Sequence, residues 1–375
     1  MAPRLGYPLR MSSTIFEPCQ FGRLTLRNRI VMAPMTRRMA QPDGIVTEES
    51  LRYYARRAAG EVGLIISEGT ALDDLHACDT LTVPRIQTAE QWAAWRQVVD
   101  AVHAEGSAFA PQLWHTGRLA LDPIGPSAGP GPKRADGSSR PDTREMAEAD
   151  FAQVLDAFRN AARGAVAISA DALEIHGAHG YLLDSFVSTV TNRRTDRYGG
   201  SFENRMRFPL EVVRAVRVEV GPGFPIIYRF SQWKMDDYAE QKFKTPDDLR
   251  LFVTALRDAG VDILHVSTRD ATDLEFESSG LPPRTLAGWS RHFSGLPTIA
   301  VGKVTVTLGM DESYGDRASE IVDPAPWLAL IESGEADLLA IGRALIANPD
   351  WVPLVRAGRW RELQPYHKGL LAQLW

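Results

Sequence analysis

Eight short apolar runs punctuate the chain, and segments of helical periodicity fall between them. The runs are Arg29–Met35, Leu64–Glu68, Phe109–Trp114, Ala172–His176, Pro225–Phe230, Ile263–Ser267, Thr298–Val301 and Leu338–Ile341. Short apolar runs bounded by turn residues read as strands buried on both faces. The helical segments include Thr88–Glu105, Phe151–Arg163, Phe202–Val220 and Pro246–Ala259. Thr88 with Gln91 three residues on predicts a capped helix start, and Gly260 predicts the stop of the last segment. Eight strand–helix units of this kind predict an α/β chain closed into a parallel (β/α)8 TIM barrel. A doubly wound open sheet is the competing arrangement, but no Gly-x-Gly-x-x-Gly follows the first run.

A single barrel domain accounts for most of the 375 residues, since barrels routinely exceed ordinary domain length. Residues 1–13 carry no apolar core for a signal peptide and read as a flexible lead before a domain spanning 14–375, with Met11 a second candidate start. The net charge is -5 with no basic block, so nucleic acid is not favoured as a partner. No apolar run reaches membrane-spanning length, so no membrane partner is expected. Only Cys19 and Cys78 are present. That excludes a disulfide framework and a four-cysteine iron–sulfur cluster within one chain, and a cytoplasmic location is the expectation. The oligomeric state, a homo-oligomer included, stays open. Two segments interrupt the alternation. Thr116–Glu145, rich in Gly, Pro and charge, follows the third strand and predicts a long capping loop on the substrate side. Val304–Pro326 interrupts the seventh unit.

Chemistry gathers at the strand ends. His176, Gly177, His179, Gly180 and Tyr181 follow the fourth run. Residues three apart on a strand point to opposite faces. The two histidines therefore converge only if the strand stops near Gly177 and the chain turns, which the glycines permit. His-x-x-His could offer two zinc ligands, but no spacing supplies the rest of a set, and no metal is expected. Arg229 stands inside an apolar run, a costly place unless it has a partner. Gln112 and Trp114 end the third strand; by base rate Trp114 alone would be core. Gly302, and Gly342 with Arg343, end the seventh and eighth strands, where barrels often bind phosphate.

His176-Gly-Ala-His179-Gly-Tyr181-Leu-Leu, together with Arg194-Thr-Asp-Arg-Tyr-Gly-Gly-Ser-Phe-Glu-Asn-Arg205, resembles the Old Yellow Enzyme family of FMN-dependent ene-reductases. AIGRALIANPDW strengthens the match, which covers about residues 14–360. The resemblance implies non-covalent FMN, reduced by NADPH or NADH, and an electron-poor alkene as substrate. It implies flavin contacts from Pro34, Met35, Thr36, Gly69, Gln112 and Arg229, and phosphate contacts from Gly302, Gly342 and Arg343. His176 and His179 would hold the substrate carbonyl, Tyr181 would protonate the α-carbon, and Trp114 would wall the pocket. Arg194 to Arg205 reads as a structural brace. Two departures, Ser188-Thr189 and Ile168-Ser169-Ala170-Asp171, touch loop shape and substrate range. The alternatives are a phosphate-binding lyase or aldolase on the same barrel, with Lys303 the one strand-end lysine, and a flavin-binding protein without turnover.

Overall fold

The structure is a computed structural model, and it describes residues 14–72, 75–133, 137–315 and 317–375. The lead at 1–13 lies outside the described residues. Eight parallel strands close into one barrel in chain order. They are Ile30–Met32, Leu64–Ala71, Ala108–Trp114, Leu173–His176, Ile226–Ser231, Ile263–Ser267, Thr298–Val301 and Leu338–Ile341. The first is shorter than expected. Beyond Met32 the N–H of Ala33 extends its ladder, to Ile341 O at 3.0 Å, and Pro34 has no N–H to continue it. The second runs further than expected, through an irregular register between Ile66 and Gly69.

Period-two alternation sorts the strand residues into two cores. Val31, Leu64, Ile66, Ala108, Ala110, Ala172, Ile227, Ile263, Ile299, Leu338 and Ala340 fill the barrel interior. Leu24 and Leu26 join them from a small hairpin, Cys19–Phe21 with Leu24–Leu26, which plugs the end where the strands begin. The alternate residues, among them Ile65, Phe109, Ile175, Tyr228 and Val266, face outward and pack with helix residues such as Tyr54, Trp95, Phe158, Phe208 and Phe252. Burying a side chain of this size contributes roughly 1.5–3 kcal/mol.

The helices follow from their caps. Thr88 and Gln91 form the expected reciprocal box before Ala89–Ala104. Ser201 caps Phe202–Val220, and Gly260, at φ 109°, ends Pro246–Ala259. The third helix, Glu148–Ala167, overruns its predicted bounds at both ends. At its start Asp150 accepts the Ala147 N–H at 2.6 Å and is clamped by Arg144. Near its end the helix runs on through Gly164, where a Cβ would stand 2.5 Å from Trp92 Nε1. That glycine serves helix packing.

The loop after the third strand folds back through a short pairing of Ile124–Gly125 with Arg144–Glu145. It leans on the short helix Leu182–Val187, where a Cβ on Gly117 would meet Leu182 Cα at 2.9 Å. Arg194 donates to Pro126 O at 3.0 Å and Met146 O at 2.9 Å. It thus braces this loop against the segment that follows the histidines.

Candidate active site

The fourth strand ends at His176, and the chain then turns through two left-handed residues, His179 at φ 63° and Gly180 at φ 81°. A left-handed histidine is strained and persists only where its surroundings hold it. Here they do. His179 N–H donates to Ser231 Oγ at 2.9 Å, and its carbonyl accepts from Met235 N–H at 3.2 Å. Asp184 Oδ2 accepts the Gly180 N–H at 2.7 Å, while its other oxygen pairs with buried Lys242. Gly177 is needed for a different reason: a Cβ there would lie 2.1 Å from Tyr228 Oη.

This turn brings the predicted trio together. The rings of His176 and His179 are 5.1 Å apart, and Tyr181 lies 4.9 Å from His176, edge to face. Trp114 packs against Tyr181 at 5.2 Å. Its indole also occupies the space that a side chain at Gly69 would need, 2.7 Å from the ideal Cβ. The aromatic ring that Gly69 admits here is therefore Trp114's own. Trp233, from the loop after the fifth strand, stacks on His179 at 4.3 Å.

Burial pushes both imidazoles well below their usual pKa, and the cation of Arg229 pushes further in the same direction. Both are therefore neutral near pH 7, and each carries one N–H. In His176 the Ala178 N–H donates to Nδ1 at 3.3 Å, so the ring proton is on Nε2. His179 Nε2 meets Ser267 Oγ at 2.9 Å.

Below the histidines lies a polar layer that sits on the apolar floor. Gln112 Nε2 donates to Glu174 Oε1 at 2.7 Å, and His265 Nδ1 meets Glu174 Oε2 at 2.5 Å. Arg229 is the cross-strand neighbour of both His176 and His265. Arg229 is only 7% exposed, and its Nε has no hydrogen-bond partner. A buried guanidinium with unmatched donors is costly. An acceptor-rich, electron-poor ring edge above it would match those donors, so the residues present fit a flavin.

The remaining predicted residues lie at the ends of the first, seventh and eighth strands. Pro34, Met35 and Thr36 are half-buried. The turn beyond them is pinned by Glu68, whose Oε2 accepts the N–H groups of Arg37 at 2.7 Å and Arg38 at 3.1 Å. A Cβ on Gly342 would meet only Met35 Sδ, at 3.7 Å, so space is open there. Gly302 is different. Its Cβ would stand 2.6 Å from the backbone of Ala271, so the glycine admits the neighbouring loop. Lys303 and Thr305 follow in left-handed backbone, at φ 50° and 59°. Arg343 donates to Leu308 O at 2.7 Å and Gly309 O at 2.8 Å, which ties the interrupted seventh unit to the eighth strand.

Glu174, His265, Ser267 and Trp233 were not among the expected site residues. An ionisable residue inside an apolar strand, the signal that marked Arg229, marks His265 and Glu174 equally. Trp233 carries no such signal, because it reaches the site from a loop. Among the described residues no group of three His, Cys, Asp or Glu is placed to hold a metal ion.

The sequence pattern of the NADH:flavin oxidoreductase / NADH oxidase family matches residues 14–362. An NADH oxidase of Thermoanaerobacter brockii is 35% identical over 358 residues, 93% of this chain; the chain spans about half of that relative's length, 52%. A putative 12-oxophytodienoate reductase 13 of Oryza sativa subsp. japonica is 35% identical over 350 residues, covering 90% of this chain and 86% of that one. Among solved structures, morphinone reductase in complex with tetrahydroNAD superposes with a TM-score of 0.78 at 30% identity, covering 96% of this chain and 94% of that one. With the closed barrel and the unmatched Arg229 beneath two neutral histidines, these likenesses lead to one conclusion: the chain belongs to the NADH:flavin oxidoreductase / NADH oxidase family.

Proposed function

We propose that this protein is an ene-reductase, which reduces the C=C bond of an α,β-unsaturated carbonyl compound at the expense of NADH or NADPH. The observation that carries the proposal is the trio itself: two neutral imidazoles 5.1 Å apart, with a phenol 4.9 Å from one of them. Two N–H donors suit a single carbonyl oxygen, and the adjacent O–H suits proton delivery to a nearby carbon. FMN, when bound, supplies the hydride-carrying centre between nicotinamide and alkene.

The chain's own residues do the rest. His176 Nε2–H donates to the substrate carbonyl. His179 can do the same when the Ser267 hydroxyl donates to its Nε2, which places the ring proton on Nδ1. Both bonds strengthen as charge builds on the oxygen, so they favour the transition state over the ground state. Tyr181 gives its proton to the α-carbon. Arg229 stabilises negative charge on the pyrimidine edge, and Gln112 offers that edge its Oε1 as acceptor. Thr36, with the Pro34, Met35 and Gly69 backbone, lines the ring, and Trp114 walls the pocket. Gly302, Gly342 and Arg343 hold the phosphate. In this reading residues 14–375 act as one domain, in the cytoplasm.

The test is a visible spectrum of the purified protein, followed by heat release of the chromophore. A yellow protein that releases FMN and turns over cyclohexenone with NADPH or NADH is expected. A colourless protein that cannot be reconstituted with FMN overturns the reading.

A further inference from the structure

The polar layer under the site contains a carboxylate that the reaction itself does not use. Glu174 is fully buried, as is His265. An ionised carboxylate can only accept, so the end of the Gln112 side chain that faces it must be the amide NH2. Glu174 thereby leaves the carbonyl end of Gln112 as the one it offers to a ligand. His265 Nδ1 meets the other oxygen of Glu174 at 2.5 Å. Burial holds the His265 imidazole below its usual pKa, so it is neutral, and its one proton sits on Nδ1 toward the carboxylate. His265 Nε2 is then a bare acceptor, in keeping with its lack of a partner. The Gln112–Glu174–His265 chain joins the third, fourth and sixth strands across the barrel, with the fifth strand between the last two. That fifth strand carries Arg229, and Arg229 forms no salt bridge with Glu174; the two interact through space.

We propose that Glu174 is a positioning residue for the flavin, with two separable actions. It fixes the Gln112 amide so that its Oε1 is turned to accept an N–H of the pyrimidine edge. It also sets a carboxylate beneath Arg229 that offsets part of the guanidinium's pull on reduced flavin. The inference rests on the FMN reading above.

The two actions separate by substitution. Glu174→Gln removes the charge and keeps the shape: its Oε1 accepts from Gln112, and its amide donates to His265 Nδ1 once the imidazole proton moves to Nε2. With the counter-charge gone, reduced flavin should bind more tightly relative to oxidised flavin, by a factor on the order of ten for a nearby charge at moderate effective dielectric. For a two-electron couple a tenfold change reads as a rise of about 30 mV in midpoint potential. Arg229→Met should lower the potential, and the double variant should return toward the wild-type value. Glu174→Asp keeps the charge but is one methylene too short to span Gln112 and His265. It should leave the potential in place and weaken FMN binding.

The experiment is a redox titration and an FMN-binding titration on the purified holoprotein and these variants, with folding checked by circular dichroism. An unchanged or lowered potential in folded, flavin-loaded Glu174→Gln overturns the electrostatic action. If Glu174→Gln does not fold, Glu174→Asp decides: FMN binding as tight as wild type overturns the positioning action. A wild-type protein that takes up no FMN at all defeats the cofactor reading instead, and that outcome is seen before any variant is measured.

Discussion

Tyr228 places its hydroxyl 2.1 Å from where a Cβ on Gly177 would stand, so the residue after His176 has no room for any side chain. Gly177→Ala must push the tyrosine or the strand end aside. Overpacking of this kind typically costs 1–3 kcal/mol, and here the displaced backbone carries His176. We expect a loss of stability of about that size, with weakened phenol binding, measured by denaturant unfolding and by ligand titration. The hydroxyl itself has no hydrogen-bond partner, so Tyr228→Phe should be neutral or mildly stabilising. A large loss in Tyr228→Phe would show that the hydroxyl does more than fill space.

Tyr181 separates the two halves of the proposed reaction. Oxidation of the nicotinamide needs no proton from the protein, whereas reduction of the alkene does. A general acid typically contributes 10²–10⁴-fold. Tyr181→Phe should therefore slow the alkene half by about that factor and leave the nicotinamide half nearly intact. Stopped-flow measurement of each half separately makes the comparison. Slowing of the nicotinamide half alone, or of neither, removes Tyr181 as the proton donor.

Acid should destabilise the fold through its buried histidines. His176, His179 and His265 are all held below the free imidazole value of 6.5. Below that value the unfolded chain takes up protons that the folded one refuses. Stability is therefore present above about pH 6.5 and is lost as pH falls, with each histidine adding a slope of up to about 1.4 kcal/mol per pH unit. Glu68 opposes this, because burial raises its carboxyl from 4.5 to about 7. Its contribution is full below 4.5 and is lost as pH rises through 7. Glu68→Gln keeps an oxygen for the Arg37 and Arg38 N–H groups and removes the opposing titration. Its melting temperature should fall more steeply than wild type between pH 7 and pH 5.

Ser169 is exposed and sits at φ 59°. An L-residue there costs roughly 1–2 kcal/mol relative to glycine. Its side chain makes one surface hydrogen bond, from Arg96 at 2.9 Å, which is worth little. Ser169→Gly should raise the unfolding free energy by about 1 kcal/mol, read from a denaturant midpoint at constant slope.

The barrel was legible because its strands are uniformly apolar and its helices carry local signals. Thr88 and Gly260 act where the sequence puts them. Strand ends were less legible where a proline or an irregular register intervened, as after Met32 and beyond Glu68. The site was legible where polar residues cluster in sequence, as His176, His179 and Tyr181 do. It was not legible where the partners come from distant strands. Nothing local links Glu174 to His265, 91 residues on. Nor does the sequence disclose that Gly302 admits a neighbouring loop, or that Arg343 grips the carbonyls of Leu308 and Gly309.

The two imidazoles stand on unlike foundations. His176 belongs to a barrel strand and moves only if the barrel does. His179 hangs from a turn anchored by Asp184 and, from the end of the fifth strand and the loop after it, by Ser231, Trp233, Met235 and Lys242, while Ser267 of the sixth strand meets its ring. Exchange of residues 232–245 for another sequence would re-aim one donor and leave the other where it is. Substrate preference could drift through that loop alone, with the barrel as a fixed reference.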